Sequence, residues 1–217
     1  MNPALEALLQ SRRDLWQGDR HPAAQQTRST GFAELDAILP GGGWPVGSLS
    51  ELLPEQPAIG ELSLCLPLLA DLTCHGHYAA LVASPHTPYA PALASAGVDL
   101  SRLWIIDAGD QDDILWATEQ LLRAGAFRAV LFWAGQTRSA QQRRLQLAAE
   151  SSDAVAIGFR PGAEARQHSA AALRLTLQLR HDGLHIATLK ARTTGTLRQA
   201  CLSDNRLFAA RRAATHH

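Results

Sequence analysis

Short apolar runs alternate with stretches of helical period through most of this chain, and that order constrains the fold more than any other feature. Apolar runs fall at residues 46–53, 78–83, 103–106, 128–133 and 154–159. Between them, residues 61–74, 90–96, 112–124 and 139–150 repeat apolar side chains every three to four positions. Strand–helix alternation of this kind predicts an α/β fold with a mainly parallel sheet and helices on both faces. The pattern then changes. Leu173, Leu175, Leu177 and Leu179 alternate with Arg174, Thr176, Gln178 and Arg180. Asp182-Gly183 predicts a tight turn, and Leu184, Ile186 and Leu189 follow. This predicts an antiparallel hairpin with one wet face, added at an edge of the sheet.

Several boundaries carry local signals. Asp112 is positioned to cap the helix over 112–124, whose buried face is Ile114, Leu115, Thr118, Leu121 and Leu122, and Gly125 ends it. Ser139 and Gln142 have the spacing of a capping box. Gly97 closes the helix at 90–96. Pro67, inside the 61–74 stretch, predicts a kink.

The helical period predicts a further helix over residues 3–17, an N-terminal extension with Leu5, Leu8, Leu9, Leu15 and Trp16 on one stripe. A polar linker follows it. The expected organisation is therefore an amphipathic helix and linker at 1–28, a core at 29–192, and a basic tail at 193–217. The stripe must be buried, either on its own domain or on a neighbour. In the tail, Leu197, Cys201, Leu202, Leu207 and Phe208 stand among Arg198, Arg206, Arg211 and Arg212. Such a segment packs on the core or docks on a partner, and partner docking is the preferred reading.

Twenty basic and twenty acidic residues leave no net charge, so nothing steers the whole protein toward nucleic acid or a membrane. With 46% hydrophobic residues, 217 residues suffice for one well-cored domain. Cys65, Cys74 and Cys201 form no CxxC, which suggests buried, reduced thiols and a cytoplasmic location. Cys74, His75, His77 and His86 lack the spacing of a zinc site, so no metal is expected. Glu6, Arg12, Arg13 and Asp14 interrupt any signal-peptide core, and no run approaches a membrane span.

In open α/β sheets the ligand site lies beyond the carboxyl ends of the strands. A phosphate loop there needs glycines to wrap phosphate, a Lys for charge, and a Ser or Thr for magnesium. After the first strand this chain reads Leu53-Pro54-Glu55-Gln56-Pro57-Ala58-Ile59-Gly60-Glu61-Leu62. Gly60 suits a turn. Glu61 stands at the lysine position and would repel phosphate, while Leu62 at the hydroxyl position cannot ligate a metal. The expectation is a degenerate loop, no nucleotide cofactor and no catalysis.

The lead-in to that loop carries a resemblance. Ser29-Thr30-Gly31…Leu35-Asp36, followed by Gly41-Gly42-Gly43-Trp44-Pro45-Val46-Gly47, resembles the start of the RecA recombinase core. The resemblance implies a RecA-like fold. It also implies where the ATP machinery would stand. The family's catalytic Glu position reads Ser84-Pro85-His86-Thr87, its magnesium Asp position reads Trp133-Ala134, and its γ-phosphate Gln position reads Phe159-Arg160. A single lost contact of this kind already costs orders of magnitude in phosphoryl transfer.

Leu15-Trp16-Gln17-Gly18 and residues 29–35 and 53–66 further resemble the ImuA family, the SulA-like accessory proteins of bacterial translesion synthesis. That resemblance implies SOS induction and partners rather than catalysis: ImuB, which is an inactive Y-family polymerase relative, an error-prone replicative-type polymerase subunit, and RecA. It leaves open a homo-oligomer through the N-terminal helix. Weak or indirect DNA contact would involve Arg138, Arg160 and Arg166, which otherwise read as solvated loop charges. The rival readings are a SulA-type division inhibitor acting on FtsZ, and an active RecA-like ATPase.

Overall fold

A computed structural model describes residues 26–57, 59–191 and 198–203. Leu5, Leu8, Leu9, Leu15 and Trp16 of the expected N-terminal helix lie outside these residues, as do Leu197, Arg206, Leu207, Phe208, Arg211 and Arg212 of the tail.

The chain opens with β1 (Thr27–Arg28), α1 (Ala33–Ile38) and β2 (Trp44–Pro45), and β1 pairs antiparallel with β2. There follow β3 (Ser48–Pro54), a 3-10 turn (Glu61–Cys65), α2 (Leu66–Cys74), β4 (Tyr78–Val82), α3 (Ala90–Ser95) and β5 (Leu103–Ile106). Next come α4 (Gln111–Ala124), β6 (Phe127–Trp133), α5 (Ser139–Glu150), β7 (Val155–Phe159), β8 (Leu173–Arg180), β9 (Gly183–Ala191) and β10 (Gln199–Leu202). The main sheet has eight strands in the order β10-β9-β8-β3-β7-β6-β4-β5. Pairing is parallel from β5 to β8, and antiparallel between β8 and β9 and between β9 and β10.

Both faces of the inner parallel strands are covered, so alternate residues of one strand enter different cores. Ala79, Leu81, Leu131, Val155 and Ile157 pack with Leu35 of α1 and Leu68, Leu69 and Leu72 of α2. Ala80, Val82, Val130, Phe132 and Ala156 pack with Leu115 and Leu122 of α4 and Leu145, Ala148 and Ala149 of α5. Burial of each large side chain contributes roughly 1.5–3 kcal/mol. Gly158 serves this packing, since a Cβ there would lie 2.6 Å from Cζ of Phe132.

Several local expectations change. Asp110, not Asp112, caps α4: its Oδ1 accepts from the N–H of Asp112 and of Asp113, each at 2.9 Å. The chain is still extended at Asp110 and becomes helical at Gln111, which places Asp112 inside the first turn, where its charge suits the helix dipole. Arg138, not Ser139, is the N-cap of α5, and its N–H donates to Oε1 of Gln141 at 2.8 Å. Gln142 is instead buried, donating to Oγ1 of Thr137. Pro67 does not kink a long helix. It sits in the first turn of α2 after the separate 3-10 turn, where a missing N–H goes unused. Of the cysteines only Cys65 is buried, while Cys74 and Cys201 are exposed.

The antiparallel edge departs most. The face of β8 expected to be wet is closed at Arg174, which is 4% exposed. A register shift between Arg174 and Leu175 pairs Arg174 with Lys190 and Leu175 with Thr188. Leu189 is the extra residue of this bulge and is exposed rather than part of the core. β10 adds a strand where a docking tail was expected. Leu202 is 1% exposed and belongs to the core of α1 and α2, so it is not free to dock on a partner. The core therefore extends past residue 192 to β10.

Candidate site at the carboxyl end of the sheet

β3 is central and carries the chain into the loop at 55–60. Pro54 is buried and Glu55 exposed, and the N–H of Glu55 donates to the carbonyl of Leu177 at 2.9 Å. Gly60 is left-handed, with φ 97°, and caps the 3-10 turn. Glu61 is 8% exposed at the start of that turn and Leu62 is half-buried. Burial first, and the negative charge of Glu61 second, push the Cys65 thiol well above its ordinary range and keep it protonated.

The neighbouring strands end in apolar and aromatic groups. Trp133 at the end of β6 stacks on Phe159 at the end of β7, with ring centroids 4.4 Å apart and planes 18° from parallel. Phe159 is 3% exposed. Beyond β4 the chain turns through Ala83, which has φ 52°, and Oγ of Ser84 donates to the carbonyl of His86 at 2.8 Å.

Beneath the loops lies a buried ionic cluster. Glu51 of β3 is 1% exposed. Its Oε1 accepts from Nη1 of Arg160 and from Oγ of Ser169, each at 2.8 Å, and its Oε2 accepts from Nε of Arg174 at 2.8 Å. Nη2 of Arg160 donates to Oε2 of Glu164 at 2.9 Å. The cluster matches carboxylates with guanidiniums, which is the condition for keeping such charges out of water. Arg174 also donates from Nη1 to the carbonyl of Gln167 at 2.8 Å and from Nη2 to that of Glu164 at 3.0 Å. The loops after β3 and β7 press together, since a Cβ at Gly162 would lie 2.7 Å from the carbonyl oxygen of Pro54.

Arg160 is thus corrected as a DNA-facing residue: it is 3% exposed and its guanidinium is held by Glu51 and Glu164. Arg138 and Arg166 are exposed, on the loops after β6 and β7, and Arg198 is exposed beside β10. Glu51, Glu164 and Arg174 were not singled out from sequence. The signal that was available is Glu51 itself, an acid inside the apolar strand Ser48–Pro54, which demands a buried cation.

The family described as the MT3502 N-terminal domain matches residues 37–160, a segment that runs from the lead-in to β3 as far as Arg160 of this cluster. This chain belongs to that family. Its curated relatives include the RecA protein of Bartonella bacilliformis, 29% identical over 154 residues, which are 71% of this chain and 42% of the relative. RecA of Prochlorococcus marinus strain MIT 9211 is 28% identical over 172 residues, 79% of this chain and 44% of the relative. This MT3502-family chain therefore spans less than half the length of the RecA proteins that it matches. The crystal structure of SulA from Pseudomonas aeruginosa aligns with a TM-score of 0.45 at 26% identity, over 52% of this chain and 98% of that one. The mainly parallel sheet, its helical layers and its antiparallel edge make the fold RecA-like, and the distant RecA relatives support the same superfamily for this chain. Among the described residues no helix is long and apolar enough to cross a membrane.

Proposed function

We propose that this chain is a non-catalytic RecA-like accessory protein of the SOS-induced translesion synthesis assembly. It acts through contacts with ImuB, with an error-prone replicative-type polymerase subunit, and with RecA. The observation that carries the loss of catalysis is Glu61, a poorly exposed carboxylate directly after the left-handed Gly60, where a phosphate loop has its lysine. The stacked Trp133 and Phe159 support the same reading, because they occupy strand ends where magnesium and γ-phosphate ligands stand in RecA-type ATPases.

The adaptor role draws support from the surface. β5 is an edge strand, with Trp104 54% and Ile105 49% exposed. Trp116 on α4 is 62% exposed beside a groove of about 300 Å³ that it shares with Leu115, Glu119, Gln141 and Arg144. Exposed tryptophans and open strand edges are the features that partner proteins engage.

The test has two arms. Calorimetric titration with magnesium-ATP should give no binding, and turnover should not exceed background; saturable binding at micromolar nucleotide refutes the degenerate loop, and turnover that is lost on changing the loop refutes the non-catalytic reading. Affinity capture from DNA-damaged cells should recover ImuB and RecA. Capture of FtsZ instead, with filamentous growth on overexpression, supports division inhibition.

A further inference from the structure

We propose that Asp182, His185 and Cys201 form a binding site for a borderline-soft divalent transition-metal ion of the zinc type. Asp182 lies in the turn between β8 and β9, His185 is in β9, and Cys201 is the direct cross-strand partner of His185 on β10. Cross-strand partners project from the same face of a sheet, so the imidazole and the thiol converge. One ligand atom from each residue lies within 4.8 Å of the other two. Nε2 of His185 is the shared apex, 2.8 Å from Oδ1 of Asp182 and 3.5 Å from Sγ of Cys201.

The spacing fits a tetrahedral ion. Bonds of about 2.3 Å to sulfur and about 2.0 Å to nitrogen set neighbouring N and S ligands about 3.5 Å apart. The nitrogen–oxygen pair opens by about half an ångström as the ion replaces the hydrogen bond between them. A thiolate–imidazole–carboxylate set selects zinc, cobalt or nickel over magnesium or calcium. Binding releases the thiol proton, and the three protein ligands leave one coordination position to water.

The backbone holds the trio in place. Gly183 has φ 141°, and any Cβ there would overlap the carbonyl of Leu202, so β10 seats against the turn as closely as a glycine permits. Asp182 and Cys201 are exposed and His185 partly so, which leaves the ion an open approach. A bound ion would fasten β10, and with it Leu202, to the hairpin. This inference is independent of the accessory reading.

Titration of the full chain with Co²⁺ tests it. Wild type should develop a thiolate-to-cobalt absorption band that saturates near one equivalent and is abolished by Zn²⁺. The band should survive Cys74→Ser and the double change of His216 and His217 to Ala. It should vanish in Cys201→Ser, and His185→Gln should weaken binding about tenfold or more. Zn²⁺ should raise the melting temperature of wild type but not of Cys201→Ser. A band that persists in Cys201→Ser, or no band in wild type with unchanged circular dichroism, overturns the proposal.

Discussion

Arg160 donates from Nη1 to Oε1 of Glu51 at 2.8 Å, and both side chains are only 2% exposed. Removing one partner of such a pair strands the other charge in the core. Glu51→Gln should therefore destabilise the protein by about 3–5 kcal/mol, read as a lower urea midpoint. The loss in the double variant with Arg160→Met should fall short of the sum of the single losses. Additive losses would show that the pair is not coupled.

Phe159 fills the end of β7 under Trp133. Phe159→Ala should cost about 3–5 kcal/mol, of which about 0.5–1.5 belongs to the ring stack. Equilibrium denaturation measures the first figure, and a cycle with Trp133→Leu measures the second. Wild-type stability in Phe159→Ala would contradict the packing described.

Leu202 and Ile105 should separate stability from binding. Leu202→Asp places a charge in the core and should lower the melting temperature by several degrees or prevent folding. Ile105→Lys alters an exposed position on the edge strand β5 and should change stability by less than about 0.5 kcal/mol. Under the adaptor reading, Ile105→Lys should nonetheless reduce the ImuB recovered with the chain. Equal recovery would remove the β5 edge from the contact surface.

Asp110→Ala should destabilise by about 1 kcal/mol through loss of the α4 cap, whereas Asp112→Ala should cost less. Thermal denaturation of the two variants gives the order directly.

Much of the fold was readable because burial imposes period. The parallel strands sit between two helical layers, so they read as continuous apolar runs such as Val130-Leu131-Phe132, and α4 reads as a helix from its stripe and Gly125. The caps were misread by one or two positions, since Asp110, Asp112 and Asp113 offer equivalent carboxylates and only the backbone selects among them. β10 was missed because Gln199-Ala200-Cys201 has no marked apolar alternation, and Leu202 is its one fully buried residue. The cluster around Glu51 was missed for a different reason. Its cations come from positions 109 and 123 residues further along the chain, a separation that local pattern does not register.

Arg174 joins the sheet to the segment after β7 through a carboxylate and several backbone carbonyls. A guanidinium so engaged acts as a rivet. Swinging this loop outward would break the bonds to the carbonyls of Glu164, Ala165 and Gln167 at once, so it is poorly suited to serve as a hinged switch. Movement of residues 164–167 is thus tied to strand β8 and does not occur apart from it.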